Sequence, residues 1–153
     1  GVQYHFVSKE QFEEMIARDE VLEHAEFCGN YYGTPRDAVE AMRNEGKNVI
    51  LEIEVQGAQQ VMQKCPDAVS IFIAPPSMTE LEKRLRGRGT EAEAVIQKRL
   101  ATASGELKDA PNYKYLVVND QVETAAQEIL TILAAEQIHQ INKEEKVKEV
   151  LES

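Results

Sequence analysis

Cysteine is nearly absent from this chain, and so is any long apolar run. Cys28 and Cys65 are too few for a disulfide framework and stand in no CxxC or Cys/His cluster, which argues for reduced thiols and against a structural metal site. No stretch approaches the roughly 20 apolar residues that span a bilayer, and the start carries no leader pattern. Basic residues are the minority: 17 Lys and Arg against 27 Asp and Glu leave a net charge of −10. Wrapping nucleic acid needs the opposite surplus. Neither nucleic acid nor membrane is therefore an expected partner. The last absence is a motif, because GxxxxGK[ST], the loop that cradles a nucleoside triphosphate, occurs nowhere.

What remains is one domain's worth of chain, 153 residues with 42% hydrophobic and 29% charged content. A chain of this size buries roughly 70% of its unfolded surface. Capping chemistry marks the helices. Ser8-Lys9-Glu10-Gln11 is a capping box for a helix over 8–18, with Phe12, Met15 and Ile16 on one face. Thr34-Pro35 reads as N-cap and first helical residue of a second, stopped by Gly46. Ser77 opens a third, closed at Gly87; Thr90 opens a fourth; a last one runs from about Gln121 into a charged tail. Apolar, β-rich runs at 48–55, 69–74 and 115–118 alternate with these helices, which predicts βαβ units and a parallel sheet covered on both faces. Segments 22–27 and 31–34 fit a small antiparallel insertion around Gly29-Asn30. No repeat, linker or low-complexity segment interrupts the pattern.

Two stretches carry chemistry. In the first, Glu23 precedes Tyr31, Tyr32 and Thr34 at short range. One carboxylate can accept both guanine donors, N1–H and the exocyclic amine, while a hydroxyl meets the acceptor edge. Adenine would leave that carboxylate unpaired, a costly outcome once buried. Taken singly, Glu23 is equally a solvated acid on a strand edge, and Thr34 a plain N-cap, a role compatible with the first. Tyr4 and Tyr32 can donate to phosphate oxygens or serve as half-buried aromatics. Glu52 and Glu54 share a face of an apolar run and need partners or a ligand, with Glu54 at the C-terminal end.

The second stretch is RLRGRGT at 84–90. Residues 83–99 hold six of the 17 basic side chains, Lys83, Arg84, Arg86, Arg88, Lys98 and Arg99, against Glu91 and Glu93. Arg84, Arg88 and Arg99 could clamp a transferring phosphoryl group, since such transfer is governed by positioning and charge neutralisation. Gly87 and Gly89 flank Arg88 as a movable loop would require. A basic last turn complementing the helix dipole also accounts for Arg84 and Arg86. Asn119-Asp120, after the last strand, can touch a base or cap the following helix.

Together these residues resemble the guanylate kinase family: GVQYHFVS, GNYYGTP, LEIEVQGA, IAPPS, RLRGRGT, QKRL and VVND follow in that family's order over about 1–135. The resemblance implies an α/β P-loop NTPase-like fold, a parallel sheet flanked by helices with a small mixed β insertion and a lid. It implies one domain, with GMP bound by about 1–35, the lid at about 84–100 and the remainder core. It implies phosphate transfer from ATP to GMP (or dGMP) with Mg2+, in the cytoplasm. Guanine would lie on Glu23 and Thr34, and its phosphate on Tyr4 and Tyr32. Glu54, where many members carry Asp, would stand near GMP and metal. Arg84, Arg88 and Arg99 match lid arginines, and Asn119, with Arg88, an ATP-binding position. The chain opens GVQYHF, without an initiator Met. The family's first strand and lysine-bearing P-loop are expected before Gly1, so the 153 residues alone are expected to be nearly inactive. A second reading is a guanylate-kinase-like module that binds phosphopeptides where GMP would sit.

Overall fold

The computed structural model of the chain describes residues 5–27, 30–87, 89, 92–139 and 143–152. These fall into two units, 1–68 and 69–153. The first begins with helix α1 (Lys9–Ala17), opened by the expected capping box. The Gln11 N–H donates to Ser8 Oγ at 3.2 Å and the Ser8 N–H to Gln11 Oε1 at 3.0 Å. Phe12 is the residue it buries. The helix closes on Asp19, whose φ of 57° is the one positive value for a non-glycine among the described residues. Asp19 holds that conformation between two cations, Arg36 Nη2 at 2.6 Å and Lys64 Nζ at 2.8 Å. The Lys64 hydrogen bond, with Arg36 beside it, holds its carboxyl below the usual carboxylate range.

Strands β1 (Val21–Phe27) and β2 (Asn30–Pro35) form the expected antiparallel hairpin, with Glu23 opposite Thr34, His24 opposite Gly33 and Ala25 opposite Tyr32. The register shifts between Val21 and Glu23. Helix α2 (Arg36–Asn44) follows. Its N-cap is Pro35, without a side-chain cap bond, so the expected Thr34 cap is corrected: the Thr34 hydroxyl is bonded to Glu23 instead. Gly46 ends the element at φ 76°.

A larger correction concerns 48–55. No described residue of 47–54 is in a strand, and helix α3 (Val55–Lys64) begins where the strand was to end. A β-rich run becomes a strand only when a neighbour accepts its backbone bonds. The described strands form two two-stranded sheets, and this run joins neither. Glu52 and Glu54 are accordingly exposed rather than same-face acids in a buried strand.

The second unit contains β3 (Ile71–Ala74), α4 (Met78–Gly87), α5 (Glu93–Glu106), a short 3-10 turn, β4 (Tyr115–Val118), α6 (Val122–His139) and α7 (Lys143–Glu152). Strands β3 and β4 run parallel, Ile71 beside Tyr115 and Ala74 beside Val118, with the α4–α5 pair as the crossover. This is the expected βαβ arrangement. Ser77 caps α4 as expected, its Oγ 3.1 Å from the Glu80 nitrogen. Helix α5 starts two residues later than expected, behind Ala92 and without a side-chain cap; Thr90 and Glu91 lie outside the described residues.

Both faces of the β3–β4 pair carry buried and exposed positions. By the register, the buried Phe72 and Ala74 share a face with Leu116 and Val118, and the buried Val117 shares the other with Ile73; Ile73, Leu116 and Val118 are 45–54% exposed. A buried side chain thus lies on each face, in keeping with the expected sheet flanked by helices. On α6, the buried Glu136 accepts from Lys114 Nζ at 2.7 Å and from the Tyr115 hydroxyl, tying the helix to the start of β4. No helix among the described residues is long and apolar enough to cross a membrane.

Candidate functional site

In the first unit the chemistry centres on Glu23, a carboxylate only 7% exposed. A buried charge requires partners. Thr34, directly across the hairpin, donates its hydroxyl proton to Glu23 Oε1 at 2.7 Å. The other oxygen faces the first turn of α3, where a Cβ placed on Gly57 would stand 2.7 Å from Oε2. The backbone around Glu23 is bolted down. Gln60 on α3 accepts from the His24 N–H (3.1 Å) and donates to the His24 carbonyl (2.9 Å). Lys64, one turn on, donates to the Val21 carbonyl at 2.7 Å.

The opposite strand is shaped by Gly33. A Cβ there would meet Glu23 O at 2.6 Å and Phe12 Cζ at 2.9 Å. Strand alternation separates the two phenols beside it. Tyr31 stacks on Phe12, ring centroids 5.6 Å apart, under Lys9. Tyr32 is 47% exposed, as a phosphate donor would need to be. Glu54 is the exposed N-cap of α3, three residues before Gly57, and makes no side-chain cap bond. Tyr4 lies outside the described residues. Gly57 and Gln60 were missed by sequence reasoning; QGAQQ at 56–60 placed a glycine and an amide on one helix turn, but nothing in the string linked them to Glu23.

In the second unit Arg84 reaches from α4 to the end of β4. It donates from Nη1 to the Asn119 carbonyl at 2.7 Å and from Nη2 to the Asp120 carbonyl at 3.0 Å, while Nε bonds Glu80 at 3.0 Å. Its fork is thus braced on the strand end. Asn119 Oδ1 is buried there without a hydrogen-bond partner. Open α/β sheets receive ligands beyond the C-terminal strand ends, and an unpaired buried acceptor at that place asks for a donor.

Arg99 lies exposed on α5, and Arg88 falls outside the described residues. Arg86, read from the string only as a complement to the helix dipole, ties the end of α4 to the start of α5. It bonds Glu82, and it grips Glu93 with both terminal nitrogens, Nη2 to Oε1 at 2.7 Å. Gln97 adds a bond to the same oxygen at 2.9 Å. Arg86 and then Gln97 hold the Glu93 carboxyl down at about 2, and the same pairing raises Arg86.

A family model for guanylate kinase matches residues 1–136. Guanylate kinase of Desulfitobacterium hafniense is 55% identical over 136 residues, 89% of this chain and 68% of that protein. The Escherichia coli K12 guanylate kinase is 52% identical over 138 residues, 90% of this chain and 67% of that protein. The crystal structure of guanylate kinase from Anaplasma phagocytophilum superposes with a TM-score of 0.70 at 38% identity, covering 90% of this chain and 66% of that one. The chain thus spans about two thirds of the length of these relatives. Phosphotransferases of the P-loop NTPase-like α/β class are the group that these likenesses define. Within that class, the chain belongs to the guanylate kinase family.

Proposed function

We propose that the chain carries the acceptor-binding and lid parts of an enzyme that moves the γ-phosphate of ATP to GMP or dGMP, giving the diphosphate and ADP, in cytoplasmic purine metabolism. The observation that carries this is the Glu23–Thr34 pair: a buried carboxylate facing a hydroxyl, in a chain of this family. Without a base, Thr34 spends its single proton on Glu23. Guanine's N1–H and amine would take over that carboxylate and free the hydroxyl to donate to the base oxygen. Adenine offers neither donor in that arrangement.

Tyr32, with Tyr4, would donate to the acceptor phosphate, and Glu54 would stand at its edge. Arg84, Arg88 and Arg99 would neutralise the transferring phosphates, and Asn119 and Arg88 would meet ATP. Mg2+ would shield phosphate charge. The described residues contain no group of three or more His, Cys, Asp or Glu that could cage an ion, and Mg2+ held chiefly by phosphates and water needs none. No GxxxxGK[ST] loop occurs in these 153 residues. As an isolated polypeptide they should bind the acceptor and transfer phosphate poorly or not at all.

Calorimetric titration with GMP and with AMP, beside Glu23→Ala, tests the reading. The expected result is GMP binding that AMP does not reproduce and that the substitution weakens about 10- to 100-fold, the worth of hydrogen bonds to a charged group. A folded chain without GMP affinity would refute it and favour a phosphopeptide-binding module.

A further inference from the structure

We infer that Gly57 is a positioning residue for base recognition: its missing side chain is the space in which the Glu23 carboxylate rests. This deepens the reading of Glu23 as the guanine reader and rests on it. Gly57 is buried and is the third residue of α3. Glycine is a poor occupant of a helix compared with alanine. No backbone conformation excuses it, since the positive-φ glycines among the described residues are Gly46 and Gly89. What excuses it is distance. A Cβ at 57 would lie 2.7 Å from Glu23 Oε2, 3.3 Å from Cδ and 3.4 Å from Cγ. Real Cβ contacts do not fall below about 3 Å, so an added methyl must move the carboxylate.

The carboxylate is the far end of a flexible side chain and can move without unfolding anything. It cannot move and keep its place, because Oε1 is bonded to Thr34 at 2.7 Å and the β1 backbone is fixed by Gln60. Two parallel hydrogen bonds to one base edge tolerate displacements of only about 0.5 Å. A methyl group at 57 should therefore leave the fold intact and degrade the reading of the base.

Gly105 supplies the matched comparison: it lies in α5 with nothing within 4 Å of its would-be Cβ. The experiment measures GMP affinity by calorimetry and thermal midpoint for the parent chain, Gly57→Ala, Gly105→Ala, Glu23→Ala and the Glu23→Ala/Gly57→Ala double variant. Gly57→Ala should melt cooperatively yet lose GMP affinity about tenfold or more. Gly105→Ala should raise the midpoint and leave affinity alone. With Glu23 already truncated, Gly57→Ala should raise the midpoint as Gly105→Ala does; with Glu23 present it should not. Unchanged GMP affinity in Gly57→Ala overturns the inference, as does the same midpoint change in both backgrounds. Glu23→Ala retaining full GMP affinity would instead remove the guanine-reading assignment, and the recognition role of Gly57 with it. The ligand-free melts decide the steric coupling in either event.

Discussion

Two glycines, Gly33 and Gly57, face Glu23 from opposite sides, and they answer to different demands. At Gly57 the obstacle to a side chain is a mobile carboxylate; at Gly33 it is the Glu23 carbonyl, 2.6 Å from an ideal Cβ, with the Phe12 ring at 2.9 Å. Backbone in a paired strand cannot step aside. Gly33→Ala is therefore expected to cost about 2 kcal/mol by overpacking, read as a lower denaturation midpoint in urea. Retained stability would mean that α1 and the hairpin slide apart without loss. The contrast separates fold from recognition around one residue, because one glycine serves packing and the other serves a carboxylate.

Among the elements, the α4–α5 elbow is held by Arg86 and Glu93, both solvent-facing. The Glu93 carboxyl titrates near 2 in the folded chain against 4.5 for a free glutamate. Its folded value is depressed, so its contribution is fully present above 4.5 and is lost as pH falls toward 2. The stability difference between the parent chain and Glu93→Gln should accordingly shrink over that interval in urea melts, and salt should reduce it at neutral pH. A difference constant with pH would show that the pair contributes nothing.

The sequence was most legible where an element is specified locally. The Ser8–Gln11 box, the Ser77 cap, the 22–34 hairpin and the Tyr115–Val118 strand are written in neighbouring residues, and all four form. It was illegible where the outcome depends on a distant neighbour. The 48–55 run has a strand's composition, but composition does not supply the adjoining strand. Thr34-Pro35 has the look of a cap, but a buried acid across the hairpin takes the hydroxyl. The site divides the same way. Glu23 and Thr34 were visible together because they lie close in the chain on adjoining strands, whereas Gly57 and Gln60 meet β1 only through tertiary packing.

At the level of the whole molecule, an acidic surface coexists with uncovered apolar positions. Leu116 and Val118 stand exposed on one face of the β3–β4 pair. Exposed contiguous apolar surface is uncommon in folded proteins and binds apolar probes. The native chain should enhance the fluorescence of a hydrophobic-surface dye. Leu116→Thr and Val118→Thr, which keep β-propensity, should lower that signal without lowering the melting midpoint; an unchanged signal would locate the dye elsewhere. The hairpin manages its own border differently. A carboxamide carries both N–H donors and a carbonyl acceptor, so it can pair with a peptide unit from both sides, and Gln60 does so at His24. The hairpin thus has a one-residue counterfeit of a third strand along β1. A foreign chain seeking to extend the sheet there would find that rung already taken, so the strand carrying Glu23 is insulated from invasion by a single side chain.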